Sequence, residues 1–291
     1  MCVLRWLLRE LAITRRFFSF VNRRLAPADR VASLLDSAGQ LVTDSAMKAE
    51  LIGAQYSSVF VQDDGVLPPT FINNRESTAK LSSMLITVGD VLTALKSLNT
   101  SGAAGEDGIP PRFYFSLRSV LCEPLCRIFD ASLSTGSLPQ MWKLANVVPV
   151  PKPKGSPHDA ASYRPIALTC VACKVMEQVI CTRIHNFLSF QCSLNLRQHG
   201  FRPGLSCSTN LLAYLDYVTL SLNNRCPVDA IYFDVAKAFD SVSHPKLIHK
   251  LKAFNISGHL ATQPPAPVPG LVHTGCTNCT TIVHWLYVFC N

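Results

Sequence analysis

Apolar positions recur at helical spacing in several stretches of the chain. Ala46, Leu51, Ile52, Tyr56 and Phe60 predict a helix over 44–60. Val88, Val91, Leu92, Leu95 and Leu98 predict another, and Thr87 with Asp90 three residues on has the form of a capping box at its start. Residues 99–111 form a turn-rich loop. Leu121, Leu125, Ile128 and Phe129 then predict a helix over 117–133, with Gly136 as its stop. The most regular helical pattern runs over 171–188, where Val175, Met176, Val179, Ile180, Ile184, Phe187 and Leu188 share one side. A further helix is predicted over 209–222. The N-terminal 26 residues read as a basic helix with Phe17, Phe18, Phe20 and Val21 on its apolar side, and 63–74 reads as a loop.

The pattern between 142 and 169 is different. Val147, Val148 and Val150 favour a strand, yet Pro149, Pro151 and Pro153 remove backbone donors, so such a strand must lie at a sheet edge or leave it as an arm. Residues 155–161 suit a hairpin tip, with Ile166, Ala167 and Leu168 on the returning strand. Residues 230–235 predict a short apolar strand that ends in a carboxylate, Asp234. A turn and a helix are expected to follow.

Composition narrows the picture. The chain has 291 residues, 48% hydrophobic and 16% charged, which allows a packed core and argues against wholesale disorder. The formal charge of +8 leans toward an anionic partner such as nucleic acid, with a basic protein lacking any such partner as the plain alternative. Twelve scattered cysteines form no disulfide framework, which favours a reducing compartment, cytoplasm or nucleus, over secretion. The apolar start is interrupted by Arg5 and followed by Arg9 and Glu10, unlike a signal peptide, while Arg15, Arg16, Arg23 and Arg24 leave a mitochondrial presequence open. No membrane span is predicted. At Gly258 the composition breaks: residues 259–291 hold no Lys, Arg, Asp or Glu, and Pro264, Pro265, Pro267 and Pro269 crowd their start.

A carboxylate held at the end of an apolar strand can bind a hard divalent cation, but Asp234 read alone suits a capping or structural role equally well. Cys170 with Cys173, and Cys276 with Cys279, are C-x-x-C pairs too far apart for a four-ligand zinc site to be assigned. Cys122 and Cys126 fall on one helical face and read as core. The eight histidines form no evident ligand set, and no G-x-S-x-G nucleophile elbow occurs.

Several segments together carry a resemblance. Tyr232 to Val242, including Phe233-Asp234-Val235-Ala236-Lys237-Ala238-Phe239-Asp240, resembles the first palm motif of reverse transcriptases of non-LTR (LINE-like) retrotransposons. Gly105-Glu106-Asp107-Gly108-Ile109-Pro110 resembles the loop ahead of that family's fingers. Trp142 to Gly155 with Ser162-Tyr163-Arg164-Pro165-Ile166-Ala167-Leu168 resembles the fingers hairpin, and Gln198-His199-Gly200-Phe201-Arg202-Pro203-Gly204 the block before the palm. Phe17 to Phe60 also looks like the region preceding the fingers. Each motif alone is of modest specificity; they stand here in the family's order across about residues 15–258.

The resemblance implies an α/β (α+β) fold: right-hand polymerase fingers plus an incomplete palm behind a helix-rich N-terminal part. The expected organisation is a helical region over 1–100, fingers over 101–228, the start of the palm over 229–258 and an unrelated or frame-shifted tail over 259–291. It implies RNA template, DNA primer and deoxynucleoside triphosphates as partners and Mg2+ as cofactor, with Asp234 as the first catalytic, metal-binding carboxylate and the Val235 carbonyl beside it. Phe239 would sit under the incoming sugar and exclude a 2′-hydroxyl; its bland alternative is a core phenylalanine. Arg164 is the expected triphosphate ligand, by bidentate contact, and Lys152 the second. Lys143 and Lys154 would add nucleic-acid contacts, although Lys152 and Lys154 suit solvated loop positions too. Arg202 suits either a template-backbone contact or a structural one, and Asp240 a structural role.

The sequence also departs from the family. No Asp or Glu follows Asp240, so the later palm carboxylates are missing from these residues, and Leu205 stands where relatives commonly place a basic residue. The chain is thus expected to be a truncated reverse transcriptase, inactive alone. The alternative is a non-enzymatic nucleic-acid-binding remnant of a retroelement.

Overall fold

A computed structural model describes residues 31–58, 64–66, 79–235 and 242–258. The predicted N-terminal basic helix, Phe60, most of the 63–74 loop, Phe239, Asp240 and the 259–291 tail fall outside the described residues. The chain divides into two compact units, residues 1–55 with 149–165, and residues 56–148 with 166–291. The architecture is mixed α/β, dominated by helices, with two two-stranded sheets.

The first unit opens on a small antiparallel pair, β1 (Leu34–Leu35) and β2 (Leu41–Val42), with Leu34 opposite Val42. Its turn is shaped by Asp36, whose Oδ1 accepts from the Ala38 and Gln40 amides at 2.9 and 2.8 Å, and by Gly39 at φ +78°. Helix α1 (Ser45–Ser57) follows; the Asp44 carboxylate accepts from the Met47 amide at 2.9 Å and so satisfies one of its free N-terminal donors. The predicted 44–60 helix thus forms, three residues shorter at its described end.

The second unit is built around helices. Helix α2 (Val88–Lys96) begins at the expected capping box: Thr87 Oγ1 accepts from the Asp90 amide, and the Asp90 carboxylate accepts from the Thr87 amide at 2.9 Å. A short helix α3 (Pro111–Ser116) starts with proline at its first position, where no amide donor is needed. Helix α4 (Arg118–Thr135) ends at Gly136, in the left-handed region at φ 64°. Helix α5 (Val171–Phe190) extends two residues beyond the predicted end. Helix α6 (Cys207–Asn223) starts earlier than the apolar pattern suggested, because Ser206 and Thr209 form a second capping box. Helix α7 (His244–Ala253) is capped by Ser243, whose Oγ accepts from the Lys246 amide.

Helix α2 packs on α4 and α5. Val91, Leu95, Phe129, Val171, Val175, Ile184 and Leu188 are essentially inaccessible in the shared core, which Leu247, Leu251 and Ile256 join. Cys122 and Cys126 lie in that core, as their helical spacing implied. Residue 256 also forms an isolated parallel bridge with Leu81. No described helix is long and apolar enough to cross a membrane.

Arg183 of α5 donates to the Asp90 carboxylate at 2.5 Å, so the ion pair joins α5 to the capping box of α2. Burial alone would push the Asp90 carboxyl up, but hydrogen bonds from Thr87 and Arg183 outweigh it and hold the group below its ordinary 3.8. A lowered carboxylate stabilises the fold above the unfolded value and loses that contribution as pH falls through the folded one. Asp90→Asn should therefore lower the melting temperature at pH 7, and the gap to the parent should narrow as pH drops below about 4. Thermal melts at pH 7 and pH 3 check this; a gap that stays constant would remove the ionic contribution.

One predicted element does not form. Residues 230–235 form no strand, with Ile231, Tyr232 and Phe233 exposed at 77, 84 and 91%. A strand is completed by a hydrogen-bonding neighbour, and among the described residues none lies alongside this run.

Candidate nucleotide and nucleic-acid interface

The proline-rich strand forms as β3 (Ala145–Pro151) and pairs with β4 (Tyr163–Thr169). In a two-stranded sheet each strand keeps one free edge, which is how Pro149 and Pro151 are accommodated without orphaned ladder bonds. At the tip the Lys152 amide donates to the Ser162 carbonyl at 2.8 Å. Gly155 is required there: a Cβ would lie 2.5 Å from Cβ of Ser162. Asp159, the lone acid between Pro139 and Val175, caps the short turn Ala160–Ser162 by accepting from the Ala161 amide at 2.9 Å.

This geometry leaves the hairpin cationic. Lys154 and Arg164 are exposed, and among the described residues neither side chain has a hydrogen bond or ion pair. Lys152 is also exposed, but its Nζ donates to the Ala161 carbonyl at 2.6 Å and so is held back along the tip, with further N–H donors still to offer. The structure therefore brings Lys152, Lys154 and Arg164 onto one hairpin in the first unit. Lys143 lies in the other unit, half-buried on a 3-10 turn (Gln140–Lys143).

The hairpin is strapped in place by contacts that the sequence pattern did not signal. Tyr163, buried beside Arg164, donates its hydroxyl to the Pro157 carbonyl at 2.7 Å and accepts from the Ala32 amide at 3.3 Å. His158 Nδ1 meets the Ser33 carbonyl at 2.7 Å, and the Leu35 amide donates to the His158 carbonyl at 2.9 Å. Residues 32–35 thus brace the tip loop.

In the second unit the Gly105–Pro110 loop meets the junction between β4 and α5. A Cβ on Gly105 would fall 2.4 Å from the Thr169 carbonyl group and 2.5 Å from the Cys170 nitrogen, so only glycine permits this approach. Burial, with Asp107 beside it, pushes the Cys170 thiol up; burial drives Cys181 up to about 12. Both stay protonated at neutral pH and offer no thiolate nucleophile.

Arg202 donates through Nη1 to the Asn195 and Gln198 carbonyls at 3.0 and 3.4 Å, which favours the structural of its two roles. It holds the turn where Phe201 adopts φ 57°. Asp234 and Val235 are exposed at the end of the unpaired run. Among the described residues no three His, Cys, Asp or Glu side chains gather as a metal cluster. Magnesium is commonly held by one or two carboxylates together with substrate phosphates and waters. Asp234 with the Val235 carbonyl supplies only part of such a shell, so the described residues do not by themselves build the centre that two-metal phosphoryl transfer needs.

Comparison with known proteins locates these features. Residues 150–277 match the family described as reverse transcriptase (RNA-dependent DNA polymerase). The matched span includes the composition break at Gly258. The chain is 29% identical over 169 residues to a probable RNA-directed DNA polymerase from transposon BS of Drosophila melanogaster, covering 57% of this chain and 18% of the relative. It is 28% identical over 167 residues to the RNA-directed DNA polymerase from mobile element jockey of the same organism, with the same coverage. The Pol polyprotein from the type-2 retrotransposable element R2DM, also from Drosophila melanogaster, is 31% identical over 174 residues, 58% of this chain and 15% of the relative. The chain thus spans less than a fifth of the length of these relatives.

Proposed function

Residues 150–277 belong to the reverse transcriptases, on the non-LTR retrotransposon side of that family, and from this premise we propose that the chain carries the fingers and the start of the palm of an RNA-directed DNA polymerase. The observation that carries the reading is that the matched segment contains both the cationic tip and returning strand of the hairpin, with Lys152, Lys154 and Arg164, and, in the family's order, the apolar run ending in Asp234. Arg164 is then the triphosphate ligand, its planar fork suited to two phosphate oxygens, and Lys152 supplies a second positive charge. Asp234 is the first carboxylate for Mg2+, assisted by the Val235 carbonyl. Phe239 selects against a 2′-hydroxyl. Lys143, Lys154 and secondarily Arg202 meet the backbones of RNA template and DNA primer.

Fingers over 101–228 and a palm start over 229–258 remain the proposed division. A second reading, a nucleic-acid-binding module without polymerase chemistry, is favoured by one feature: no acidic residue follows Asp240.

Both readings require phosphate contacts. Binding to single-stranded RNA should be sequence-tolerant and should weaken by about 0.7 log units per log unit of salt for each phosphate neutralised. The double variant Lys152→Ala, Arg164→Ala should flatten that slope by roughly one to two contacts' worth. Fluorescence anisotropy across a salt series measures it. An unchanged slope would move the binding surface off the hairpin.

A further inference from the structure

Arg164, the proposed triphosphate ligand, has a buried neighbour whose polar contacts lead out of the hairpin. Successive side chains of an extended strand take opposite faces, so Tyr163 turns inward and is only 4% exposed, while Arg164 faces solvent. Burying a phenol is costly unless its hydroxyl is hydrogen-bonded. Tyr163 meets that demand twice, donating to the Pro157 carbonyl at 2.7 Å and accepting from the Ala32 amide at 3.3 Å. The first bond closes the tip loop onto the returning strand. The second ties that strand to a segment 131 positions away.

That segment is itself fixed. Lys48 of α1, a buried lysine, donates from Nζ to the Val31 carbonyl at 3.1 Å. Leu34 is inaccessible, and the residues on either side of it hold His158: the Ser33 carbonyl meets the imidazole at 2.7 Å, and the Leu35 amide donates to the His158 carbonyl at 2.9 Å. Residues 31–35 therefore grip both the tip loop and the residue before Arg164. From the other side Pro165 disfavours a helical backbone at Arg164 and keeps it extended. The side chain of Arg164 is exposed, yet its backbone is held at both neighbours.

We infer that Tyr163 is a positioning residue for Arg164: its hydroxyl, anchored on residues 31–35, fixes the backbone from which the guanidinium meets a triphosphate. The inference rests on the reading of Arg164 as the triphosphate ligand and adds what aims it. Bidentate contact with two phosphate oxygens needs a defined direction as well as a charge, and a side chain ordered only on binding gives up part of the binding free energy. Lys152 acts as a point charge and depends less on direction. The Tyr163 hydroxyl should thus act on triphosphate affinity through Arg164. A tyrosine that served only the packing of the strand would have no such dependence.

The test is a double-mutant cycle on the full 291-residue chain. The probe is dTTP with magnesium, and calorimetric titration gives the affinity. Arg164→Ala should weaken binding by about tenfold or more. Tyr163→Phe keeps the buried ring and removes only the hydroxyl; it should weaken binding by about threefold or more, and should cost nothing further once Arg164 is alanine. Circular dichroism checks that each variant is folded. Should Tyr163→Phe not fold, His158→Ala takes its place in the cycle, because it loosens the same brace from an exposed position. The inference is overturned if the brace variant binds dTTP as tightly as the parent, or if its penalty is the same with and without Arg164. In both cases a weakened Arg164→Ala leaves the triphosphate reading standing. A parent that binds no dTTP, or an Arg164→Ala variant that binds it as well as the parent, overturns that reading, and the inference falls with it.

Discussion

Incubated alone with a primed RNA template, deoxynucleoside triphosphates and magnesium or manganese, the 291-residue chain is expected to give no DNA synthesis, and Asp234→Ala is expected to change nothing. In-line phosphoryl transfer by two metal ions stabilises the attacking and the leaving oxygens together, which takes more carboxylate than one exposed side chain provides. Asp234 stands at the end of an unpaired run, and no Asp or Glu follows Asp240 in the sequence. The positive charges of the hairpin can hold a triphosphate, but holding substrate without stabilising the transition state does not accelerate the chemical step. Gel-resolved primer extension makes the measurement. Template-dependent products that vanish in Asp234→Ala would show that these residues assemble a working centre.

The parts of the fold that could be read in the sequence were those fixed by local chemistry. Thr87 and Asp90 specify a capping box through hydrogen bonds within four residues, and Gly136 ends α4 because a left-handed residue there needs no Cβ. The core face of α5 was legible because Val175, Val179, Ile180, Ile184 and Leu188 repeat with the helical period and are buried together. Ser206 is a local signal too: its capping box with Thr209 starts α6 two residues ahead of the apolar pattern. Contacts made at long range left no such trace. The Tyr163 hydroxyl reaches Ala32 across 131 positions, and no pattern around either residue announces it. Nor does the neighbourhood of Gly105 disclose that the backbone of Thr169 will lie against it.

The run 230–235 failed in an instructive way. Its composition is that of a strand, and strand propensity expresses how well side chains fit a pleated, partly buried surface. Without a neighbouring strand among the described residues that fit has nothing to act on, so no strand forms and the side chains stay exposed. The candidate site divides along the same line. The cationic hairpin was predictable, because a hairpin carries its own pairing partner and Arg164 needs only to be exposed upon it. The carboxylate centre was not, because its geometry depends on elements that the described residues do not supply.

Phe129→Ala should be the most destabilising single change in the second unit. Phe129 is completely inaccessible in α4, and its ring meets the Trp142 ring edge-on, with centroids 5.8 Å apart and planes at 68°. Truncation removes buried apolar surface and leaves a cavity, a loss of about 3–5 kcal/mol when the surroundings relax only in part. Domain stabilities are roughly 5–15 kcal/mol, so such a loss takes up a large share of what holds the unit together. Trp142 stands three residues before β3, which links this core to the stretch that enters the hairpin. Phe129→Leu, which keeps most of the buried volume, should cost distinctly less. Arg164→Ala, on an exposed side chain, should stay within about 0.5 kcal/mol while impairing RNA binding. Urea unfolding separates these cases: the midpoint should fall sharply for Phe129→Ala with the slope unchanged, and hold for Arg164→Ala. A midpoint for Phe129→Ala as high as that of Arg164→Ala would mean that the α4 core carries little of the stability.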